Sequence, residues 1–369
     1  MASLQARPVV TGGVDTHRDV HVAAVLDGLG RLVATGSFPA TPAGYRTLTG
    51  WMKSFGTIDT VGVEGTGAWG AGLTRHLTAA RVRVIEVTRV NRQRRRRYGK
   101  TDTTDAISAA KAVQSGEATG APRGGTGPVE SLRLLRIARR SAMKQRTAVA
   151  NQLHAVIVTA DDTIRAQHQG LPLTRTVTIA ANYRPGDPLD PTQAAKWALK
   201  TLARRYQHLT EELDTLTSHI SSIVTAIAPK GLLDMCGVGP HVAADLLITA
   251  GTNPNRLANA RSFAALCGTS PVDASSGLQQ RHRLNRGGDR QANAALYRIT
   301  IVRLRWHQPT RNSMTRRLKD GKTKAETIRC LKRYIATTTT SPNPPLDIYR
   351  SIPTLASHAG EETRPSVLN

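Results

Sequence analysis

The stretch YGKTDTTDAISAAK, residues 98–111, sets two aspartates three positions apart directly after a run of arginines. The Ala-rich AISAAKA that follows predicts a helix, and Asp suits a helix beginning better than a helix interior. A three-residue spacing puts the Asp102 and Asp105 carboxylates on one face of the first turn. A cap with favourable charge at the positive end of the helix dipole explains this pair taken alone. The segments before it point further.

Residues 8–118 alternate between strand and helix patterns. VVTGGVD (9–15), VHVAAVLD (20–27) and RLVATGSF (31–38) predict three successive strands with Asp/Gly turns. PAGYRTLTGWMKS (42–54) predicts a helix, TVGVEG (60–65) a short buried strand, GAGLTRHLTAA (70–80) a helix and VRVIEVT (82–88) a fifth strand. With the Asp102 helix last, the order β-β-β-α-β-α-β-α is that of an α/β, ribonuclease-H-like domain over residues 1–118. In such a fold the first and fourth strands are central neighbours, so Asp15 and Glu64 end side by side. The last helix then brings Asp102 and Asp105 to them. Four carboxylates repel one another unless a cation lies among them. Carboxylates and water are the ligand set of Mg²⁺, and a pair of such ions can activate one oxygen and stabilise another. The expected cofactor is therefore Mg²⁺, as two ions, with Mn²⁺ able to substitute. Asp19 and Asp27 read as hairpin-turn residues. His17 and His21, at alternating hairpin positions, read as solvated. All four stay outside the predicted site.

Lys and Arg number 51 against 26 Asp and Glu, a net charge of +25 that makes a polyanion the expected partner. Membrane is the weaker alternative, because no apolar run approaches the roughly 18–20 residues that span a bilayer. The N-terminal MASLQARPVVTGGVDTH lacks the apolar core of a signal peptide. Cys236, Cys267 and Cys330 are odd in number and far apart, so they read as thiols of a reducing cytoplasm rather than a disulfide framework or zinc ribbon. Aromatic residues make up only 4%, so backbone and shape contacts should dominate over base stacking. In RVNRQRRRRYGK (89–100), Arg92, Arg94, Arg95, Arg96, Arg97 and Lys100 adjoin the acidic site, well placed to grip phosphates.

Residues 119–228 begin with a Gly/Pro linker, ATGAPRGGTGP (118–128). A long basic helix is predicted over 129–160, then a polar, Pro-containing loop over about 161–191. Leu199, Leu202, Tyr206, Leu209, Leu213, Leu216, Ile220, Ile223 and Ile227 then step by three and four, the pattern of a coiled coil. An intrachain hairpin with the 129–160 helix and an interchain pairing fit this pattern equally, and the two can coexist.

Residues 229–336 read as a third, mainly α region. LLDMCGVGPHVAADLLITAG (232–251) resembles a helix-hairpin-helix, whose turn offers backbone N–H groups to a phosphate. A plain helix–helix turn explains it as well. Farther on, a Ser-Ser-Gly turn precedes Arg281, His282, Arg283 and Arg286. A serine among cations suits phosphoryl transfer through a covalent intermediate. A polar loop that only binds phosphate fits the same residue types. Residues 337–369 have the composition of a disordered tail.

GVDTH (13–17), GVEGTGAWG (62–70), KTDTTDA (100–106), GVGPHVAADLL (237–247), FAALCGTSPVDASSG (263–277) and RHRLNRGGDRQANAALY (281–297) occur in that order. Together they resemble the insertion-sequence transposases of the "one-ten" family, which includes the Piv-type DNA invertases. The resemblance runs nearly to residue 336. It implies a RuvC-like domain whose tetrad is Asp15, Glu64, Asp102 and Asp105, and a C-terminal transposase domain whose nucleophile matches Ser276 best, with Ser275 one residue away. It further implies recombination through a phosphoserine, on donor and target DNA, by dimers that join through the coiled coil and pair into tetramers. Relatives are guided by an element-encoded bridge RNA, and an RNA reader needs exposed basic faces. Arg133, Arg136, Arg139 and Arg140, with Lys144 and Arg146, supply one such face, and Arg281, Arg283 and Arg286 another. A bacterial, cytoplasmic protein gathered on the nucleoid follows from the same resemblance. One competing reading is a RuvC-like nuclease or junction resolvase that hydrolyses DNA with Mg²⁺. Another is an architectural nucleic-acid-binding protein whose acids hold a structural ion.

Overall fold

Valine-rich runs buried on both faces form β1 (Val9–Thr16) and β2 (Val20–Leu26), and the more exposed β3 (Leu32–Pro39) completes an antiparallel meander. β4 (Thr57–Glu64) joins β1 in parallel, and β5 (Arg83–Val87) joins β4 in parallel. The sheet order is β3-β2-β1-β4-β5, a mixed sheet in an α/β unit. The computed structural model describes residues 7–87, 101–122, 125–251, 260–273, 275–276, 282–283, 285 and 287–338. The chain falls into two units, Met1–Gly127 with Ala250–Phe263, and Pro128–Thr249 with Ala264–Asn369.

The β2–β3 turn is fixed by Asp27, whose carboxylate accepts from the Leu29 and Arg31 amides at 2.9 Å each, as expected of a turn aspartate. α1 (Pro42–Ser54) starts at Thr41, whose hydroxyl accepts from the Gly44 amide, with Pro42 in its first turn. α1 and α2 (Ala71–Ala79) cover one sheet face, burying Leu48, Met52, Leu73 and Leu77 against Val10, Val14, Val61 and Val63. α3 (Asp102–Gln114) covers the other face, where Ala106 packs on Val22 and Ala24.

Glycines set how close α3 comes. A Cβ on Gly13 would stand 2.2 Å from the Ala106 carbonyl and 2.3 Å from the Ala110 amide, and one on Gly62 would stand 2.7 Å from the Ala109 carbonyl. These are backbone atoms, which cannot swing aside, so the seat requires bare glycine on both central strands. Because side chains alternate, Asp15 and Glu64, two residues beyond Gly13 and Gly62, lie on this same face.

In the second unit, α4 (Gly127–Thr159) and α7 (Pro191–Ile227) form an antiparallel pair. Arg139 Nε donates to Thr217 Oγ1 at 2.9 Å, and seven residues on the Arg146 guanidinium lies over the Tyr206 ring and reaches Thr210. Leu199, Leu209 and Leu213 of the heptad are buried with Val149 and Leu153, so this seam has a partner inside the chain. The loop expected over 161–191 instead carries two helices, α5 (Asp162–His168) and α6 (Leu173–Ala181). Asp161 caps the first, accepting from the Thr163 and Ile164 amides, while Pro172 precedes the second and Pro191 opens α7. Proline at a helix start is compatible with helix, which is why a Pro-containing stretch is helical here.

The helix-hairpin-helix expectation is half met. α8 (Pro240–Ala250) is present, but residues 231–237 form turns in place of the first helix. Gly231 and Gly237 both sit at φ +87°, outside the helical region. α9 (Ala260–Leu266), the short β6 (Val272–Asp273) and β7 (His282–Arg283), then α10 (Arg290–Trp306), α11 (Gln308–Lys319) and α12 (Lys324–Thr338) complete a mostly helical region. No helix among the described residues is long and apolar enough to cross a membrane.

Candidate functional site

The cap of α3 is Thr101: its hydroxyl accepts from the Thr104 amide at 3.1 Å. Neither aspartate is needed for capping. Asp102 is exposed at the helix start, while Asp105, three residues farther along the same face, is buried. Asp15, buried near the end of β1, faces them from the glycine-paved side of the sheet. The β1–β4 register pairs Val14 with Val63, so the next residues, Asp15 and Glu64, come side by side. Thr16 Oγ1 fastens the two strand ends by donating to the Glu64 carbonyl at 2.8 Å.

His17 Nε2 lies 3.2 Å from an Asp15 carboxylate oxygen and 3.3 Å from an Asp102 oxygen, which joins residues from the two elements. The ligating atoms of Asp15, His17 and Asp102 all lie within 4.8 Å of one another. Glu64 and Asp105 share the face but fall outside that tightest group. Burial holds the Asp15 carboxyl above the ordinary carboxylate range; His17 opposes this, and the charges of Asp105 and Asp102 add to it. A buried acid whose neighbours are also acids suits a divalent cation, and the donor set of carboxylate oxygens with one imidazole nitrogen fits a hard or borderline ion.

His17 is exposed, as its hairpin position predicts, yet it also contacts two of the acids. The usable signal was its spacing: two residues past Asp15, it shares that residue's face at the end of the strand. The other hairpin histidine departs from expectation. His21 is fully buried, with its ring stacked on Tyr45 at 5.6 Å between centroids, and burial lowers its pKa.

In the second unit, β6 and β7 pair Asp273 with His282, and Ser275 and Ser276 lie two and three residues past the end of β6. Ser275 donates its amide (2.9 Å) and its hydroxyl to the Asp273 carboxylate, which leaves Ser276 the exposed serine without that tie. Of the cations expected on nucleic acid, Arg136 is buried in a paired contact with Asp245, and Arg133 pairs with Glu130 on its own helix. Arg139 is half-buried against Thr217, and Arg140 bonds the Arg136 carbonyl. Arg283 is exposed. Arg92, Arg94, Arg95, Arg96, Arg97, Lys100, Arg281 and Arg286 lie outside the described residues, as does the sequence beyond 338.

Residues 12–160 match a family model for a DEDD-type transposase, DEDD_Tnp_IS110. Residues 230–315 match a second model, described as a transposase of the IS116/IS110/IS902 family. The first match contains all four acids and His17, and the second contains both serines. No curated protein matches the chain.

Proposed function

The chain belongs to the IS110 family of transposases, enzymes that process DNA, and from that premise we propose that it joins donor and target DNA through a serine-linked intermediate. The meeting of Asp15 and Asp102, from the central strand and the last helix, carries this reading. The strand order and the helix that seats on Gly13 and Gly62 support a ribonuclease-H-like fold of the RuvC type. Three functional regions are proposed: a catalytic domain over 1–118, a long-helix region over 119–228 and a serine transposase domain over 229–336.

Asp15, Glu64, Asp102 and Asp105 would hold Mg²⁺, with His17 as an added or alternative ligand. Bound divalent ions supply charge stabilisation at the attacking and leaving oxygens of a phosphoryl transfer. The protein's own part begins with position. α3 is held by its Thr101 cap and its glycine seat, so Asp102 is presented to Asp15 on rigid elements. At the second site, Ser276 Oγ forms a bond to a DNA phosphorus while the bond to the leaving strand oxygen breaks, and the serine proton passes to a nearby base. His282, across the ladder from Asp273, is a candidate for that base. Attack by the new strand's hydroxyl reverses the step, so no phosphodiester is lost to water. Guidance by a bridge RNA, a dimer built on the long helices, a tetramer on DNA and a place on the bacterial nucleoid are part of the same proposal.

Donor and target duplexes incubated with Mg²⁺ and RNA transcribed from the adjoining DNA test it. Joined products, read by sequencing across the junction, are expected. Free hydrolysed ends without joined product would instead identify a nuclease.

A further inference from the structure

We propose that the cavity between the β6–β7 ladder and α12 is a binding site for the backbone of the DNA strand that reacts at the serine loop. It rests on the proposed function above for the identity of that strand. The cavity has a volume of about 550 Å³, room for a nucleotide. Its walls bring together Arg283 from β7, Lys322 from the turn before α12, and Arg329, Lys332 and Arg333 from α12, against the single carboxylate of Glu326.

That carboxylate is already committed. It accepts from the Thr323 amide and hydroxyl at 2.9 and 2.8 Å, capping α12, and stands 3.9 Å from Arg329. Two of the cations are fixed as part of the wall: Lys332 Nζ donates to Asn293 Oδ1 at 2.7 Å, and Arg333 donates to Ser270 Oγ at 2.9 Å. Burial, followed by the charge of Arg329, lowers the pKa of Lys332. Arg283, Lys322 and Arg329 remain exposed at the mouth. Such a surplus of preorganised cations in a concave, polar-walled space is complementary to phosphodiester oxygens.

Location selects DNA. Arg283 lies on the strand that pairs with β6, and Ser275 lies two residues past the end of β6, so the cavity is beside the strands that carry the serines. A DNA strand held at Ser276 would run past β7, whose His282 and Arg283 line the cavity. α12 begins beyond residue 315, where the second family match ends, so this element has no role assigned by the family match.

Cys330 lines the cavity and gives a direct readout. Alkylation of its thiol is followed by mass spectrometry in the full chain alone, with RNA transcribed from the adjoining DNA, and with that RNA plus the duplex. Buried Cys267, whose thiol burial pushes up, should stay unmodified and so report folding. Duplex is expected to slow alkylation of Cys330 equally in wild type and in Ser276→Ala. The double variant Lys322→Glu/Arg329→Glu should bind duplex roughly tenfold or more weakly, with a shallower salt dependence, and should lose the protection at duplex concentrations that saturate wild type. Unchanged Cys330 reactivity with duplex bound, equal protection in the double variant, or protection by RNA alone would each overturn the proposal. Loss of the serine reading would show separately, as joined product retained by Ser276→Ala with Cys330 protection intact.

Discussion

Asp15→Asn is expected to reduce strand joining by roughly 10²–10³-fold or more while leaving the metal-free fold at least as stable as wild type. The two effects have one cause. The Asp15 carboxyl is held above its ordinary range by burial and by the nearby charges of Asp105 and Asp102, with His17 only partly offsetting them. A raised folded-state pKa means that, as pH rises, the unfolded chain releases this proton first. Ionised Asp15 therefore penalises the metal-free fold at neutral pH, and the penalty disappears as pH falls through the folded-state pKa. An asparagine of the same shape removes it. Mg²⁺ reverses the comparison, since an ion at 100 times its Kd adds about 2.7 kcal/mol of stability. Wild type should gain that increment and the variant should gain much less. Thermal unfolding in chelator and in Mg²⁺, alongside the joining assay, reads all of this. A variant that is destabilised in chelator would show Asp15 to be a structural acid.

Arg136→Met should destabilise the second unit by about 3–5 kcal/mol, the cost of leaving one partner of a buried ion pair behind. Arg136 donates from Nε and Nη2 to Asp245 over 2.7–3.0 Å, and both side chains are nearly inaccessible, at 4% and 1% exposure. The pair ties α4 to α8. Arg298 also reaches Asp245, at 3.2 Å, but from a half-exposed position, so it compensates only in part. Replacing both members, as Arg136→Met/Asp245→Leu, should recover much of the loss, because neither charge is then stranded. Urea denaturation of the single and double variants makes the comparison. A single variant within about 0.5 kcal/mol of wild type, the range of an ordinary surface change, would remove the pair from the fold's support.

The sheet and its last helix were legible because each depends on local signals. Strand alternation, Asp/Gly turns and two central glycines are written in consecutive residues, and they fix which face Asp15 and Glu64 occupy. The opening pair of aspartates is explained the same way: Thr101 caps the helix, which leaves Asp102 available to meet Asp15. What escaped depends on distant partners or on backbone angles. Arg136 has the spacing of a surface cation, and its partner is 109 residues away. Gly231 and Gly237 sit at positive φ, and the residues between them form turns where the pattern predicts a helix. Asp161, Pro172 and Pro191 mark helix starts that composition alone assigns to a loop. The exposure of His17 is legible in the hairpin, whereas its approach to Asp102, 85 positions away in the chain, is not. The heptad could not reveal what it packs on, and α4 and α6 of the same chain share a core with it here.

Covalent trapping tests the central claim most directly. The protein, with RNA from its own flanking DNA, would be given labelled donor and target duplexes in Mg²⁺ and denatured during turnover. Wild type is predicted to carry labelled DNA on the Ser276 side chain, and both Ser276→Ala and Asp102→Ala to carry none. Cleaved ends with no adduct, unaffected by changing either Ser275 or Ser276, would contradict the account and leave a metal-dependent hydrolase in its place.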